Sequence, residues 1–291
     1  IEFALRTGIN INVDNLSELD RVAKIMGAMA GSPTPAGSVG LRINPQVGVG
    51  KILGSSVAGA YSKFGIPINQ QRAEIEHAFS SYPWLTGLHL HVGSQGCPMT
   101  MLISGIGVLH DFAMELNLKR RDAGLPPISR FDIGGGLPIV YDSRSAAPSM
   151  AAYAGEIAKR APGLSEMKMI TEFGRWVYTN SGWTVSRVEY VKRESAVNTA
   201  MLHIGADLFV RECLNPKDWS HEYSVFDRNG NLKTGTDEQP YNLAGPLCFS
   251  GDIIAKNVCL PIINEGDFLV IHDTGGYTFS MWSRYNSRQT P

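Results

Sequence analysis

The sequence predicts an α/β domain followed by an all-β domain. In the first half, short apolar segments alternate with amphipathic segments at a spacing of roughly 30 to 45 residues, which is typical of a parallel sheet covered by helices. After residue 182 no long helical pattern is present, and short segments rich in β-branched and aromatic residues alternate between apolar and polar positions. We therefore expect the α/β domain to span residues 1–182 and an antiparallel β domain to span residues 183–291.

The elements of the first domain follow from the period of the apolar residues. Short apolar or alternating runs predict strands at 9–14, 39–44, 85–92, 131–133 and 167–171. Helical spacing predicts helices at 16–26, 70–80, 103–118 and 150–160, and the end of another helix before Gly8. Asp14, Asn15 and Ser17 are the candidate caps of the helix at 16–26. Residues 31–37, with two prolines, and the glycine-rich residues 47–64 predict loops.

The second domain shows strand periodicity at 183–191 and 267–272. Residues 224–232 predict a hairpin, because Asn229-Gly230 is a favoured pair for a tight turn between two strands. Two glycine-bearing loops, at 245–252 and 274–280, contain side chains that can react or can bind phosphate.

Composition restricts the class of protein. The 291 residues carry a formal net charge of -1, so nothing indicates nucleic acid or an anionic membrane as a partner. No apolar run reaches the roughly 18 residues that predict a membrane-spanning helix. The four cysteines form no CxxC pair, which predicts free thiols in a reducing, cytoplasmic compartment and no zinc or other metal site.

The most informative stretch is the glycine run Gly134, Gly135 and Gly136, which directly follows an apolar strand. Glycine allows positive φ and close approach of a ligand, and backbone N–H groups in such a loop suit a phosphate. An ordinary turn from strand to helix is the alternative. His91, Ser94, Glu172 and Arg175 also follow predicted strands. The carboxyl ends of strands form the catalytic face of a (β/α)8 barrel and the ligand-binding edge of a doubly wound sheet, so both folds place function there.

Five short segments contain these strand-end residues, the glycine run or the glycine-bearing loops. They lie in order along the chain at 91–95, 132–136, 172–175, 248–252 and 275–277. Together they resemble the pyridoxal-phosphate-dependent decarboxylases of the diaminopimelate, ornithine and arginine type, and most closely the diaminopimelate branch. The resemblance implies a partial alanine-racemase-like (β/α)8 barrel of fold type III, followed by an antiparallel β-sandwich or barrel-like domain. It also implies pyridoxal 5'-phosphate as cofactor and decarboxylation of an amino acid, with meso-diaminopimelate converted to L-lysine as the leading expectation.

The resemblance assigns cofactor-binding roles. Glu172 is expected to face the ring nitrogen, where a carboxylate favours the protonated form, and His91 to stack on the ring face. The group expected near the phosphate consists of Gly134, Gly135, Gly136, Ser94, Tyr277, Gly174 and Arg175, of which Arg175 either adds charge or braces the loop of Glu172. His89 is expected to be an ordinary core or strand-end histidine.

Substrate and partner roles follow in the same way. Cys248 resembles the thiol that protonates the carbanion after decarboxylation and reaches the partner subunit's site, so a homodimer is expected. Asp252 is expected to place this loop, and the other cysteines to be ordinary buried thiols. Asp207 and Arg211 lie where the family contacts the substrate, and Arg211 suits a carboxylate because its planar fork can pair with two oxygens.

The chain departs from the family pattern at several points. The Tyr-x-x-Lys motif of the Schiff-base lysine is missing, and neither Lys24, Lys51 nor Lys63 has a suitable context. Only about five of the eight barrel strands can be identified. We therefore expect a fragment that lacks residues at both ends, with the lysine upstream of Ile1. Phe173 replaces the proline usual in Glu-Pro-Gly-Arg, and Phe249 replaces a usually acidic substrate-binding residue.

These departures leave other functions open. Phe249 indicates a substrate whose distal group is apolar or differently charged, so the decarboxylase of another amino acid is an alternative. The missing lysine and Phe249 also allow a non-catalytic regulatory relative that has lost the cofactor, although the retained cofactor motifs argue against it. A racemase is a further alternative. Cys248 and the Ser-Gly-Asp at 250–252 favour decarboxylation over racemisation.

Overall fold

The computed structural model describes residues 1–29, 38–141, 146–193 and 196–289, so the predicted loop at 31–37 lies outside the described residues. The chain forms two compact units. The first unit consists of Ile1–Pro138 and Ala147–Phe173, and the second of Ile139–Ala146 and Gly174–Pro291.

The first unit contains a parallel sheet, as predicted. Its strands are β1 (Ile11–Val13), β2 (Val39–Asn44), β3 (Ile66–Pro67), β4 (Leu85–His89), β5 (Arg130–Asp132) and β6 (Lys168–Ile170). The order in the sheet is β1-β2-β4-β5-β6, with the short β3 paired to β2, and every pairing is parallel. The periodicity of the sequence predicted every strand except β3, which lies just after the predicted loop at 47–64.

Helices connect these strands: α1 (Glu2–Arg6), α2 (Leu16–Ala28), α3 (Ile68–Ser81), α4 (Met99–Asp122) and α5 (Met150–Arg160). Of the three candidate caps of α2, the structure selects Asn15, whose side chain accepts a hydrogen bond from the Glu18 backbone at 2.9 Å. Ser149 caps α5 in the same way through the backbone N–H of Ala152. Such side chains satisfy N–H groups that the first turn of a helix leaves unpaired.

Helix α4 is long and apolar enough to cross a membrane by length and composition alone. More than half of that stretch is buried inside the protein, however. Its buried residues, among them Leu102, Ile106, Leu109, Phe112 and Leu116, join the core of the first unit. This burial pattern is that of a core helix. The basic residues of its last turn interact favourably with the negative end of the helix dipole.

The two faces of the first sheet differ in polarity. The apolar strand residues that pack in the core with the helices are Leu41, Ile43, Leu88, Leu90, Phe131 and Ile133. Because side chains alternate along a strand, the residues between them face the opposite side. There the guanidinium of Arg130 fills space that a side chain at Gly40 or Gly87 would occupy. His89 and Asp132 follow on this face, so a buried polar layer leads toward the carboxyl ends of the strands.

The second unit contains a mixed sheet. Its strands are β7 (Thr184–Lys192), β8 (Asn198–Leu202), β9 (Tyr223–Phe226), β10 (Glu238–Ala244), β11 (Ile253–Pro261) and β12 (Phe268–Ile271). They are arranged in the order β11-β10-β8-β7-β12-β9. The expected antiparallel arrangement is wrong for one ladder, since β8 and β10 run parallel. A parallel pair needs a long crossover, and the segment that contains β9 supplies it.

The predicted hairpin at 224–232 is only partly formed as a ladder. The first arm is β9, whereas the second is reduced to a single bridge between Phe226 and Leu232. The turn is held by Asp227, whose carboxylate accepts hydrogen bonds from the backbone of Asn229 and Asn231. Backbone hydrogen bonds also join the two arms, from Asp227 N to Asn231 O and from Lys233 N to Val225 O, each at 2.8 Å.

The compact units separate at Gly174, earlier in the chain than the boundary predicted after residue 182. The intervening residues include the short helix α6 (Gly174–Tyr178) and bind to a loop of the second unit. Thr179 O accepts from Gly275 N at 3.0 Å and Gly182 O accepts from Thr274 N at 2.7 Å. A further short helix, α7 (Val210–Leu214), lies in the same unit.

Candidate active site

In the first unit, the carboxyl ends of β4, β5 and β6 bring His91, the glycine run and Glu172 together. Gly134 and Gly136 have φ values of 67° and 108°, a region that favours glycine. A side chain at Gly135 would overlap the backbone carbonyl of Glu172. The backbone N–H of Glu172 in turn donates to Gly134 O at 2.8 Å. The glycine run therefore fixes the backbone position of Glu172.

Two N–H groups of the run are engaged inside the protein. Gly134 N donates to Asp132 Oδ1 and Gly135 N donates to His91 Nδ1, each at 3.0 Å. These amides organise the side chains around them instead of remaining open to a ligand. A phosphate-binding role for the run as a whole stays a prediction. Ser94 lies in the loop after β4, half-buried, where its backbone donates to Ser55 O at 2.9 Å.

The surroundings of His91 favour the neutral imidazole. Burial lowers its pKa, and the positive charge of Arg42 acts in the same direction. Because Nδ1 accepts from Gly135, the ring proton of the neutral form lies on Nε2. A neutral ring with a fixed orientation suits stacking on a flat ligand.

Glu172 is held as a carboxylate. Its pKa is lowered chiefly by His89, whose Nε2 lies 3.7 Å from Oε1, and further by the charges of His91 and Arg42. Burial opposes this effect only in part, because about half of the side chain is exposed. The result is an ionised, accessible carboxylate at the carboxyl end of the sheet, a suitable partner for a protonated ring nitrogen.

His89 is the last residue of β4 and is buried, which confirms the predicted core or strand-end histidine. It is 5% exposed, and neither ring nitrogen has a hydrogen-bond partner in the described part of the chain. Donor atoms of His89, Asp132 and Glu172 all lie within 4.8 Å of one another. Such a set is close enough for a metal ion, but the charges of Glu172 and Asp132 already act on the guanidinium of Arg42 beside them.

In the second unit, the structure brings Arg175 and Tyr277 together, both predicted near the phosphate. The Arg175 guanidinium carbon lies 4.1 Å from the centre of the Tyr277 ring, and Nη1 donates to the Tyr141 hydroxyl at 2.5 Å. Tyr277 has a φ of 62°, a conformation that costs a non-glycine residue about 1–3 kcal/mol and that is frequent in binding sites. Gly174 opens the helix that carries Arg175, with open space where a side chain would be.

Arg211 shares the same aromatic surroundings. Its guanidinium carbon lies 4.1 Å from the ring centre of Trp219 and 5.3 Å from that of Tyr277. Nη2 pairs with the buried Glu212 carboxylate at 3.4 Å, whereas Nε and Nη1 are buried without a hydrogen-bond partner among the residues described. Unpaired buried N–H groups on a cation are costly unless an anion binds them. This arrangement therefore favours a carboxylate or phosphate ligand.

The Cys248 loop is anchored at both ends. Cys248 is exposed, its N–H donates to Asn286 Oδ1 at 2.9 Å, and its carbonyl accepts from the Tyr285 hydroxyl at 3.2 Å. Asp252 is 3% exposed and accepts from the backbone of Ala206 at 2.5 Å and of Leu247 at 2.7 Å. The Asp252 carboxylate thus ties the loop at 205–207 to the loop that carries the thiol.

Asp207 and Phe249 have different surroundings. Asp207 is buried, accepts from Gly205 N and lies 3.1 Å from the Arg288 guanidinium, so its carboxylate is engaged within the loop. Phe249 is 40% exposed and packs edge-to-face against Tyr285. It lines an apolar cavity of about 360 Å³ together with Ala206, Val210, Leu214, Leu247, Ser283 and Tyr285.

Comparison with known protein families shows to which family the chain belongs. Residues 1–179 match the model "Pyridoxal-dependent decarboxylase, pyridoxal binding domain", and residues 138–275 match "Pyridoxal-dependent decarboxylase, C-terminal sheet domain". The chain belongs to the pyridoxal-dependent decarboxylase family. The order of the two domain models agrees with the observed order of the units, in which the unit with the parallel sheet precedes the unit with the mixed sheet.

Individual members of the family are similar along most of this chain. It is 31% identical to the diaminopimelate decarboxylase of Neisseria meningitidis serogroup A, covering 99% of this chain and 67% of that protein. It is 30% identical to the diaminopimelate decarboxylase of Methanothermobacter thermautotrophicus, covering 100% and 65%. The chain therefore spans about two thirds of the length of these curated relatives.

Solved structures give the same result. The Helicobacter pylori diaminopimelate decarboxylase complexed with L-lysine has a TM-score of 0.81 at 26% identity, covering 99% of this chain and 68% of that one. The M. jannaschii diaminopimelate decarboxylase in co-complex with L-lysine has a TM-score of 0.82 at 25% identity, covering 100% and 65%. These values confirm the predicted fold class.

Taken separately, each unit has residue types that fit the family's cofactor, pyridoxal 5'-phosphate. The first unit provides the ionised Glu172 and the neutral His91. The second unit provides a guanidinium with buried, unpartnered N–H groups at Arg211, with Arg175 against the same two aromatic rings. A planar cationic ring with an anionic group needs side chains of these types.

Sequence reasoning missed two contacts, that of His89 with Glu172 in the first unit and that of Trp219 with two arginines in the second. His89 could have been found, because it lies two positions before His91 and residues at this spacing share a face of a strand. Trp219 lies in an irregular segment without a motif, so no local signal marks its contact with both arginines.

Proposed function

We propose that the protein containing this chain is a pyridoxal-phosphate-dependent amino-acid decarboxylase, with meso-diaminopimelate as substrate and L-lysine as product. The observation that carries the proposal is the position of the Glu172 carboxylate next to His89 and His91 at the strand ends of a pyridoxal-binding domain. Two similar structures are of diaminopimelate decarboxylases complexed with L-lysine.

When bound, pyridoxal phosphate supplies the electron-accepting ring system for loss of carbon dioxide. Glu172 would keep the ring nitrogen protonated, because a neighbouring negative charge stabilises the positive form. His91 would lie against the ring, held in orientation by the Gly135 amide. An ionised Glu172 and a neutral His91 are the protonation states that these roles require.

The anionic end of the cofactor would be bound by Arg175 and Tyr277, with Ser94, Gly174 and the glycine run as further candidates. Arg175 is buried against aromatic rings, so its charge is weakly screened by water. Arg211 would bind a carboxylate of the substrate, because Nε and Nη1 are unpartnered and a guanidinium can hold two oxygens at once.

Cys248 would donate a proton to the carbon that has lost its carboxylate. Its thiol is exposed on an anchored loop, as a proton donor for a ligand must be. We further propose a homodimer in which this loop completes the site of the partner subunit. The cytoplasmic location also stays a proposal.

Phe249 favours a second candidate, the decarboxylation of an amino acid with an apolar or uncharged distal group. Its ring lines a cavity at the Cys248 loop, and almost all of the other side chains that line this cavity are apolar. A cationic distal group would lose its hydration there without gaining a carboxylate partner. The two candidates differ in substrate and share the same chemistry.

The experiment uses the full-length protein from its natural first residue. It is incubated with pyridoxal phosphate, reduced with borohydride and digested, and the labelled peptide is identified by mass. Carbon dioxide release is then measured with meso-diaminopimelate, ornithine, arginine, lysine and apolar amino acids. Label on one lysine, and activity lost in Glu172→Ala and Cys248→Ala, are expected. Absence of specific label would reject decarboxylation in favour of a regulatory relative.

The substrate candidates are separated by the Phe249→Glu variant. If an apolar distal group is the natural one, this change should lower turnover of that substrate and raise turnover of a diamino substrate. If meso-diaminopimelate is already the best substrate of the unmodified protein, the second candidate is excluded.

A further inference from the structure

A buried histidine whose two ring nitrogens have no hydrogen-bond partner among the described residues lies next to Glu172. His89 is 5% exposed, and among the residues that the structure describes neither Nδ1 nor Nε2 has a hydrogen-bond partner. Burying such a group without a partner opposes folding, so a histidine here needs a reason other than packing. The carboxylates of Glu172 and Asp132 lie close to the imidazole and indicate what this histidine does.

The acceptor near Nε2 is the Glu172 carboxylate, whose Oε1 lies 3.7 Å away. An N–H···O hydrogen bond is typically about 3.0 Å long, so the gap to close is about 0.7 Å. Glu172 has room for this movement, because its side chain is about half exposed while its backbone is fixed by Gly134. A small change of side-chain rotamer would therefore complete the bond.

Among the described residues, no side chain on this face donates a hydrogen bond to Glu172, and of the basic side chains only His89 lies within 4.0 Å of its carboxylate. His91 Nδ1 accepts from the Gly135 backbone. Asp132 accepts from Asn12 Nδ2 at 2.9 Å and from Gly134 N, and is itself an acceptor. Arg42 acts on Glu172 through its charge, and its nearest carboxylate is Asp14, at 3.7 Å. His89 is thus the donor best placed to hold Glu172.

We propose that His89 is a positioning residue, which holds the Glu172 carboxylate by a hydrogen bond from Nε2 where the ring nitrogen of the cofactor binds. The chain of contacts begins at Asn12, which orients Asp132, which lies with Glu172 around the imidazole. The inference rests on the proposed function only for the identity of the ligand. The coupling between His89 and Glu172 belongs to the cofactor-free protein.

The test compares His89→Phe with His89→Gln. Phenylalanine keeps the ring volume and removes the donor, whereas glutamine retains an N–H that can reach a carboxylate. In the cofactor-free full-length protein, NMR titration of the Glu172 carboxyl should show a higher pKa in His89→Phe and a value close to wild type in His89→Gln. Thermal unfolding should show no loss of stability in His89→Phe, because the change removes an unpaired buried group.

Cofactor binding provides the second readout. The Kd for pyridoxal phosphate, measured by fluorescence, should rise about 10- to 100-fold in His89→Phe, the effect of a lost hydrogen bond to a charged group. In a Glu172→Gln background the same change should have little effect, because the partner carboxylate is gone. His110→Phe is the matched control, since His110 is also buried with an unpartnered Nε2 but pairs with Asp111 elsewhere.

The outcomes separate this inference from the proposed function. An unchanged Glu172 pKa in His89→Phe, or an equal loss of binding in both Glu172 backgrounds, would overturn the positioning role. If wild-type protein does not bind pyridoxal phosphate, the proposed function fails, while the Glu172 titration still decides whether His89 holds the carboxylate. Matching effects of His110→Phe on both readouts would also overturn the inference.

Discussion

Replacement of Asp252 by alanine should release the loop that carries Cys248. The Asp252 carboxylate is 3% exposed and accepts hydrogen bonds from two backbone N–H groups, those of Ala206 and Leu247. Gly205 and Gly245 leave room for it, because a side chain at either position would overlap the carboxylate.

The magnitude follows from the two N–H groups left unpaired. Each buried donor without a partner costs about 1–3 kcal/mol, which gives about 2–6 kcal/mol for the pair. Burial raises the pKa of Asp252, so the buried charge itself opposes part of this stabilisation. We therefore expect Asp252→Ala to lower the free energy of unfolding by about 2–4 kcal/mol, a large share of the stability of an ordinary domain.

The assay combines denaturant unfolding with alkylation of Cys248, followed by mass spectrometry with the exposed Cys259 as internal reference. Asp227→Ala is the matched control, since Asp227 also accepts from two backbone N–H groups but lies on the exposed turn after β9. Asp252→Ala should destabilise the protein more and should speed alkylation of Cys248 relative to Cys259. Equal destabilisation by both variants, with unchanged alkylation, would refute the reasoning.

The pH dependence of Asp252 has a definite sign. Its folded-state pKa is raised above the ordinary value of 3.8. Between those two values the folded state binds the proton that the unfolded state has lost, so stability rises as pH falls through this window. Asp252→Asn should remove that dependence, which denaturant unfolding at several pH values would detect.

The remaining predictions concern other parts of the chain. Asn15→Ala should lower the free energy of unfolding by about 1 kcal/mol through loss of the α2 cap, and Asn15→Asp should not, as thermal unfolding can establish. Arg211→Ala should raise KM for the substrate about 10- to 100-fold, with Arg211→Lys intermediate because it keeps the charge without the fork; equal KM values would exclude a carboxylate contact. Arg160 lowers the pKa of Asp111 to about 2, so this pair should stabilise the fold above pH 3.8 and lose its effect as pH falls toward 2. Asp111→Asn should therefore reduce the difference in stability between pH 7 and pH 2, by a small amount because the pair is largely exposed, and an unchanged difference would contradict the assignment.

The sequence by itself determined the elements of the first unit and the residue types of its site. A short apolar run and a helical pattern located β2 and α5 with the bounds that the structure has. The glycine run, His91 and Glu172 were recognisable because they follow apolar strands directly. These features depend on neighbours along the chain, and apolar periodicity records which face of an element is buried.

Only the tertiary structure decided which distant groups meet. The parallel pairing of β8 with β10, the contact of Arg175 with Trp219 and the bond of Asp252 to Ala206 each join segments far apart in sequence. The unpaired nitrogens of His89 likewise depend on what packs around them from other strands. Alternation along a strand predicts the direction of a side chain but not its partner, because the partner is set by the register and order of strands that the local sequence does not encode.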